Sequence, residues 1–147
     1  MQKVFLDTDV LLDLLLDRKP YIEDSQKIFS LIESGLIKGH TSSLIMANIY
    51  YIIEKHVSKS IAVKSLQKIR SILKVLAFTD KEIGEGLNSN FKDKEDAFQY
   101  YIALNNRIKT IITKNTKDYK DTNCKVFSPS EYLKLSNTKK ILNKLDE

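Results

Sequence analysis

A single cysteine in 147 residues, Cys124, leaves no internal disulfide framework and no cysteine-based zinc site. Four glycines and two prolines, with no internal period, exclude a collagen-like or repeat architecture. No apolar run approaches the roughly 20 residues of a membrane span. The nearest, Val10–Leu16, is interrupted by Asp13 and ends at Asp17. A basic start, an uninterrupted apolar region and a small-residue cleavage site are all missing, so no export signal is read. There is no Gly-rich phosphate loop and no cluster of Cys or His. A reduced, cytoplasmic setting is expected, with no membrane partner.

What is present fits one soluble domain. Apolar residues make up 42% and charged residues 29%, ordinary proportions for a globular chain of this length. Lys and Arg number 24 against 19 Asp and Glu, a net charge of +5 that suits a polyanionic partner but does not single one out.

Strand and helix signals alternate along the chain. Lys3–Leu6 is a short β-branched run that reads as a buried strand meeting a carboxylate at Asp7. Thr8 or Asp9 is placed to cap a helix through Val10–Leu16. A helix over Ile22–Ser34, stopped by Gly35, is followed by a strand over Ile37–Thr41. Ser42 or Ser43 caps a helix to about His56. Its middle, Leu44–Ile53, is apolar nearly all round apart from Asn48, which predicts a central, buried helix. Ser60–Leu73 is amphipathic, with Val63, Leu66, Ile69 and Leu73 on the apolar face. Val75–Phe78 reads as a strand, and Thr79 with Glu82 has capping-box spacing. A helix from about Asp93 to Arg107, a strand over Lys109–Thr113, a polar loop over Lys114–Asn123, a strand over Lys125–Phe127 and a helix after Ser128-Pro129 complete the pattern. Residues 1–135 form the expected domain, and 136–147 an amphipathic C-terminal tail. The alternation predicts an α/β fold: a three-layer α/β/α sandwich around a mostly parallel sheet of four to five strands. Ligands in such sheets bind outside the carboxyl ends of the strands.

Acids gather at that edge. Asp7 and Asp9 follow the first strand. Asp93 and Asp96 lie one turn apart at a helix start and can share a face. Thr113, Asn115 and Asp118 follow the fourth strand. Carboxylates so grouped raise one another's pKa unless a cation is present. Hard oxygen donors suit Mg²⁺ or Mn²⁺. Each residue also has an ordinary structural explanation: Asp9 as a cap, Asp93 and Asp96 as acids favoured at a helix N-terminus, Asn115 and Asp118 as turn formers.

The segments Val4–Leu12, Asp93–Tyr100, Ile111–Tyr119 and Phe127–Leu133, in that order, resemble PIN domains. The resemblance covers nearly the whole chain. It implies a metal-dependent ribonuclease, often the toxin of a toxin–antitoxin pair, that hydrolyses RNA phosphodiesters with Mg²⁺ or Mn²⁺. By that resemblance Asp7 and Asp96 match the first and third acids, Asp93 is an extra acid, and Thr113 and Asn115 fall in the late motif. The second acid, usually Glu on the central helix, is replaced by Asn48. Asp9 stands where Asn is common. Asp7, Asp96, Asp93 and Asn48 are thus the expected catalytic residues. Asp7, Asp96, Asp93 and Asn115 are the expected metal ligands. Thr8, Thr113, Lys114 and Lys117 are expected to meet the RNA, and Asp9 and Asp118 stay unassigned. The expected partners are RNA, a separate antitoxin protein and a second copy of the chain.

Two other classes fit parts of the sequence. A PIN module that binds RNA or a protein without cleaving is supported by Asn48. A phosphatase resembling the haloacid dehalogenase family would use Asp7 as nucleophile and Asp9 as acid. Against it, Val10 and Leu11 replace the usual Gly and Thr, and no phosphate-binding lysine partner is evident.

Overall fold

The structure, a computed structural model, describes residues 1–119 and 122–146. Positions 120 and 121 of the expected polar loop, and 147 of the tail, lie outside the described residues. In chain order the elements are β1 (Lys3–Leu6), α1 (Thr8–Leu15), α2 (Ile22–Glu33), β2 (Lys38–Ser42), α3 (Ser43–His56), α4 (Lys59–Ile72) and β3 (Lys74–Leu76). They continue with α5 (Asp80–Leu87), α6 (Lys94–Asn105), β4 (Thr110–Ile112), a 3-10 turn (Thr116–Tyr119), β5 (Lys125–Phe127), α7 (Pro129–Lys134) and α8 (Ser136–Leu145).

The five strands form one parallel sheet in the order β3-β2-β1-β4-β5. The register sets Phe5 beside His40 on one side and Ile111 on the other. Val4, Phe5, Leu6, Ile111 and Ile112 are wholly buried, as central strands covered by helices on both faces must be. The α/β/α sandwich with a parallel sheet is therefore borne out. Helices pack in groups: α1 with α2, α2 with α7 and α8, α3 with α4, and α5 with α6. In α8, Thr138 is buried, and Ile141, Leu142 and Leu145 pack against the core. Among the described residues no helix is long and apolar enough to cross a membrane.

Local signals act as their chemistry requires. Ser42 caps α3 by accepting from Ile45 N, and the Thr79–Glu82 and Ser128–Glu131 pairs form capping boxes. Gly35, at φ 74°, ends α2 in the left-handed region.

Three expectations are corrected. The cap of α1 is Asp7, not Thr8 or Asp9: its backbone is extended and its side chain accepts from Thr8 N. Helix α3 is not buried all round. Only Ile45, Met46, Ile49 and Ile53 form its inner stripe, and Tyr51 is 67% exposed. The helix buried on most sides is α6, where Asp96, Ala97, Gln99, Tyr100, Ile102 and Ala103 are all inside. A run of apolar residues reports composition, whereas burial depends on how many elements cover the helix. Of the face expected for α4, Ile69 and Leu73 are buried and Leu66 packs on the core, but Val63 is 41% exposed and Ala62 and Ser65 lie inside instead. Small residues at 62 and 65 suit the close packing of α4 on α3.

Gly39 in β2 marks a tight approach. A Cβ there would stand 2.5 Å from Leu73 Cδ2 and 2.6 Å from Ile32 Cδ1. Gly39→Ala is expected to destabilise the fold by about 1–3 kcal/mol, read as a lower urea midpoint at unchanged slope.

Candidate active site

The strand order reverses at β1: the chain builds outward through β2 and β3, then returns to place β4 on the other side of β1. The carboxyl ends of β1 and β4 therefore flank a topological switch point, where the crevice of an open parallel sheet lies. Asp7 is the first residue after β1, and Thr113 the first after β4. Asp7 N donates to Ile112 O at 3.0 Å, extending the pairing by one step. Thr113 Oγ1 donates to Asp7 Oδ2 at 2.8 Å, and Thr8 N donates to Oδ1 at 2.7 Å. The hydroxyl of Thr113 also accepts from Asn115 N, which fixes the start of the late loop.

A cleft of about 370 Å³ opens over this point. Asp7, Thr8, Asp9 and Asn115 line it from the strand ends. Asn48, Tyr51 and Ile52 come from α3, and Asp93, Glu95 and Asp96 from the start of α6. Asp93 is the N-cap of α6, its Oδ1 accepting from Glu95 N and Asp96 N. That cap, with the helix dipole, holds the α6 acids at the rim. Asp9 Oδ1 lies 3.9 Å from Arg18 Nη1.

Burial and crowding shape the electrostatics. Burial raises the pKa of Asp7 above its usual value; the Thr8 and Thr113 hydrogen bonds pull it down, and Asp9 and Asp93 push it up. Asp96 is raised to about 7, first by burial and then by Asp7, Asp93 and Asp118. Its Oδ2 is buried and has no hydrogen-bond partner among the described residues. Buried polar atoms are seldom left so. The Tyr119 hydroxyl is also buried, with no partner among the described residues, and its pKa is raised by burial and by Asp7. Burial, with Asp93 and Asp7 nearby, raises Glu95 as well.

Among the described residues no three Asp, Glu, His or Cys side chains close into a metal cage. Mg²⁺ does not require one, because it keeps several waters and uses one or two carboxylates. A buried, orphaned Asp96 oxygen at a cleft that a second buried carboxylate, Asp7, also lines fits such an ion.

The structure thus brings Asp7, Thr8, Asp9, Asn48, Asp93, Asp96 and Asn115 into one cleft, with Thr113 directly behind Asp7. Asp118 stands close enough to raise Asp96. Lys117 and Asp118 line a neighbouring groove with Lys92 and Tyr101. Lys114 is turned elsewhere: its Nζ is 2.9 Å from Asp13 Oδ2 and 3.8 Å from the Tyr21 ring centroid. Sequence reasoning missed Glu95, Tyr51, Tyr119 and Asp13. Glu95 had a signal, since it adjoins Asp96 in the acidic helix start.

A sequence profile of the PIN domain matches residues 3–117, and the chain belongs to the PIN domain family. It is similar to Ribonuclease VapC1 of Aquifex aeolicus (strain VF5), with 26% identity over 142 residues, 93% of this chain and 97% of that protein. Among solved structures, DNA-bound VapBC from Salmonella typhimurium matches with a TM-score of 0.69 at 18% identity, covering 88% of this chain and 99% of that one. VapBC-1 from nontypeable Haemophilus influenzae gives 0.67 at 17% identity over 88% and 99%. Mycobacterium tuberculosis VapC20, described as a Sarcin-Ricin loop cleaving toxin, gives 0.60 at 10% identity over 74% and 86%. These likenesses show the PIN fold, and with the family assignment they leave the phosphatase reading without support.

Proposed function

We propose that the protein is a divalent-metal-dependent ribonuclease and the toxin of a toxin–antitoxin pair. The observation that carries this is the unpartnered, buried Asp96 Oδ2 in a cleft with Asp7 at the switch point of the sheet. The similarity to Ribonuclease VapC1 supports the reaction class, and the VapBC assemblies support an antitoxin partner. Asp7 and Asp96 would hold Mg²⁺ or Mn²⁺, with Asp93 and Asn115 assisting. Bound there, the ion would supply Lewis acidity, activating a water and neutralising charge on the phosphate. Thr113 orients Asp7 through its hydroxyl. Lys117, beside the cleft, favours the RNA backbone in a salt-sensitive way. The exposed apolar side chains Tyr51, Val57, Ile61 and Val63 on and beside α3 and α4 support a protein-binding face, suited to a second copy or the antitoxin.

Incubation with single-stranded and structured RNA is expected to give cleavage with Mn²⁺ and none with EDTA. Cleavage that persists in both Asp7→Asn and Asp96→Asn overturns the assignment. Asn48 in the cleft favours one second reading, a PIN module that binds RNA without cutting it; Mn²⁺ uptake and RNA binding without any cleavage would select it.

The raised Asp96 pKa sets a pH dependence. Its carboxyl binds a proton more tightly in the fold, at about 7, than at its unperturbed value of 3.8. The folded chain therefore holds the extra proton between these values. That contribution to stability is complete below the lower value and is lost as the pH rises through the upper one. A cation competes for the same oxygen, so stabilisation by Mn²⁺ grows in the opposite sense. The rise in Tm on adding Mn²⁺ is expected to be small at about pH 5 and large at about pH 8. An equal rise at both would separate Asp96 from the ion.

A further inference from the structure

The PIN resemblance puts a glutamate where this chain has Asn48, and an amide there removes a charge from the cleft. The fold brings a carboxylate to the same place from the facing helix. Glu95, on the first turn of α6, lines the cleft, and Asn48 Nδ2 donates to its Oε1 at 2.5 Å. Its other oxygen, Oε2, takes no hydrogen bond from any described residue. Adjacent helical residues normally diverge. The Asn48 amide holds Glu95 at the cleft that Asp96 also lines. Asp96 is 7% exposed, and its Oδ2 is buried with no hydrogen-bond partner among the described residues.

We propose that Glu95 is a ligand of the divalent cation and Asn48 its positioning residue, so that α6 supplies the carboxylate that α3 lacks. The inference rests on the metal-dependent reading above. Affinity for a hard cation follows the number of charged oxygens offered to it. Asp7, Asp96 and Glu95 together restore the number of acids that the resemblance implies, reaching the ion directly or through the waters it keeps rather than as a closed cage. An acid in the first turn of a helix is also favoured by the dipole, but that role needs neither the amide partner nor the cleft.

The test is calorimetric titration of the full chain with Mn²⁺, alongside urea denaturation and RNA cleavage. Glu95→Gln is expected to weaken Mn²⁺ binding at least about tenfold at an unchanged urea midpoint. Asn48→Ala shifts affinity in the same direction. The exchange Asn48→Glu with Glu95→Gln keeps one amide and one carboxylate in contact, and it is expected to return Mn²⁺ affinity and cleavage toward wild type. Unchanged Mn²⁺ affinity in Glu95→Gln, with affinity lost in Asp96→Asn, overturns the role of Glu95 while the nuclease reading stands. Failure of the exchange to restore binding overturns the pairing with Asn48. Wild-type protein that takes up no Mn²⁺ and cleaves no RNA overturns the nuclease reading itself.

Discussion

Asp96→Asn is expected to abolish nearly all metal-dependent RNA cleavage, a loss on the order of 10²- to 10³-fold in kcat, and at the same time to stabilise the metal-free protein near neutral pH. The two effects have one cause. Asp96 sits 7% exposed among Asp7, Asp93 and Asp118, with one oxygen unpartnered, and these surroundings raise its pKa to about 7. Above that pH the fold carries a buried charge that no described residue neutralises. An amide of the same shape removes the charge and with it the repulsion, so Tm without metal rises. The same change removes the anionic oxygen that a cation needs, so activity falls. Structure held in strain for function behaves this way, with stability and activity moving in opposite directions. A residue that merely supported the fold would move both downward. Thermal melts with EDTA, paired with cleavage assays, separate the cases.

The second large effect lies outside the cleft. Lys114→Met is expected to cost about 3 kcal/mol of stability, because it strips a buried carboxylate of its closest cation. Asp13 is wholly buried in α1. Lys114 Nζ is 2.9 Å from its Oδ2, while Arg18 Nη1 stands 3.7 Å from Oδ1. Oδ1 has no hydrogen bond among the described residues, so Arg18 alone is a poor replacement. The Lys114 ammonium also lies over the face of Tyr21, a second contact that Met cannot reproduce. Removing both charges in Asp13→Leu with Lys114→Met is expected to recover most of the loss, since a well-packed apolar pair often equals a buried ion pair. Urea denaturation of the two single variants and the double closes the cycle. The measurement also weighs the RNA-binding role expected of Lys114. If Lys114 serves RNA instead, Lys114→Met leaves the urea midpoint near wild type and raises KM.

How much of this was legible in the sequence follows from the range of each interaction. Asp7 could be read because a carboxylate directly after a buried strand is a local signal. Asp93 and Asp96 could be read because one helical turn separates them. The capping boxes at Thr79 and Ser128 are likewise local and are present in the fold. Asp13 was passed over as an interruption of an apolar run, because its partner lies 101 residues away. Glu95 was passed over for the same reason: its contact with Asn48 spans 47 residues. The burial of α3 was overestimated, because periodicity describes one helix and burial depends on its neighbours. Asn48 was read as standing in place of the second acid, and it lines the cleft.

The hydrogen bond from Thr113 to Asp7 joins residues 106 positions apart. Its consequence concerns timing during synthesis. A chain leaving the ribosome offers its first acid almost at once, yet that acid gains its hydroxyl partner only after β4 has emerged and paired with β1. Helix α6, with Asp96, must also precede it into place. Contacts of such long sequence separation form late, after shorter loops have closed. A nascent or truncated product therefore carries scattered carboxylates and no cleft. For a chain acting as the ribonuclease proposed above, this order would keep the unfinished protein harmless to the RNA that directs its synthesis.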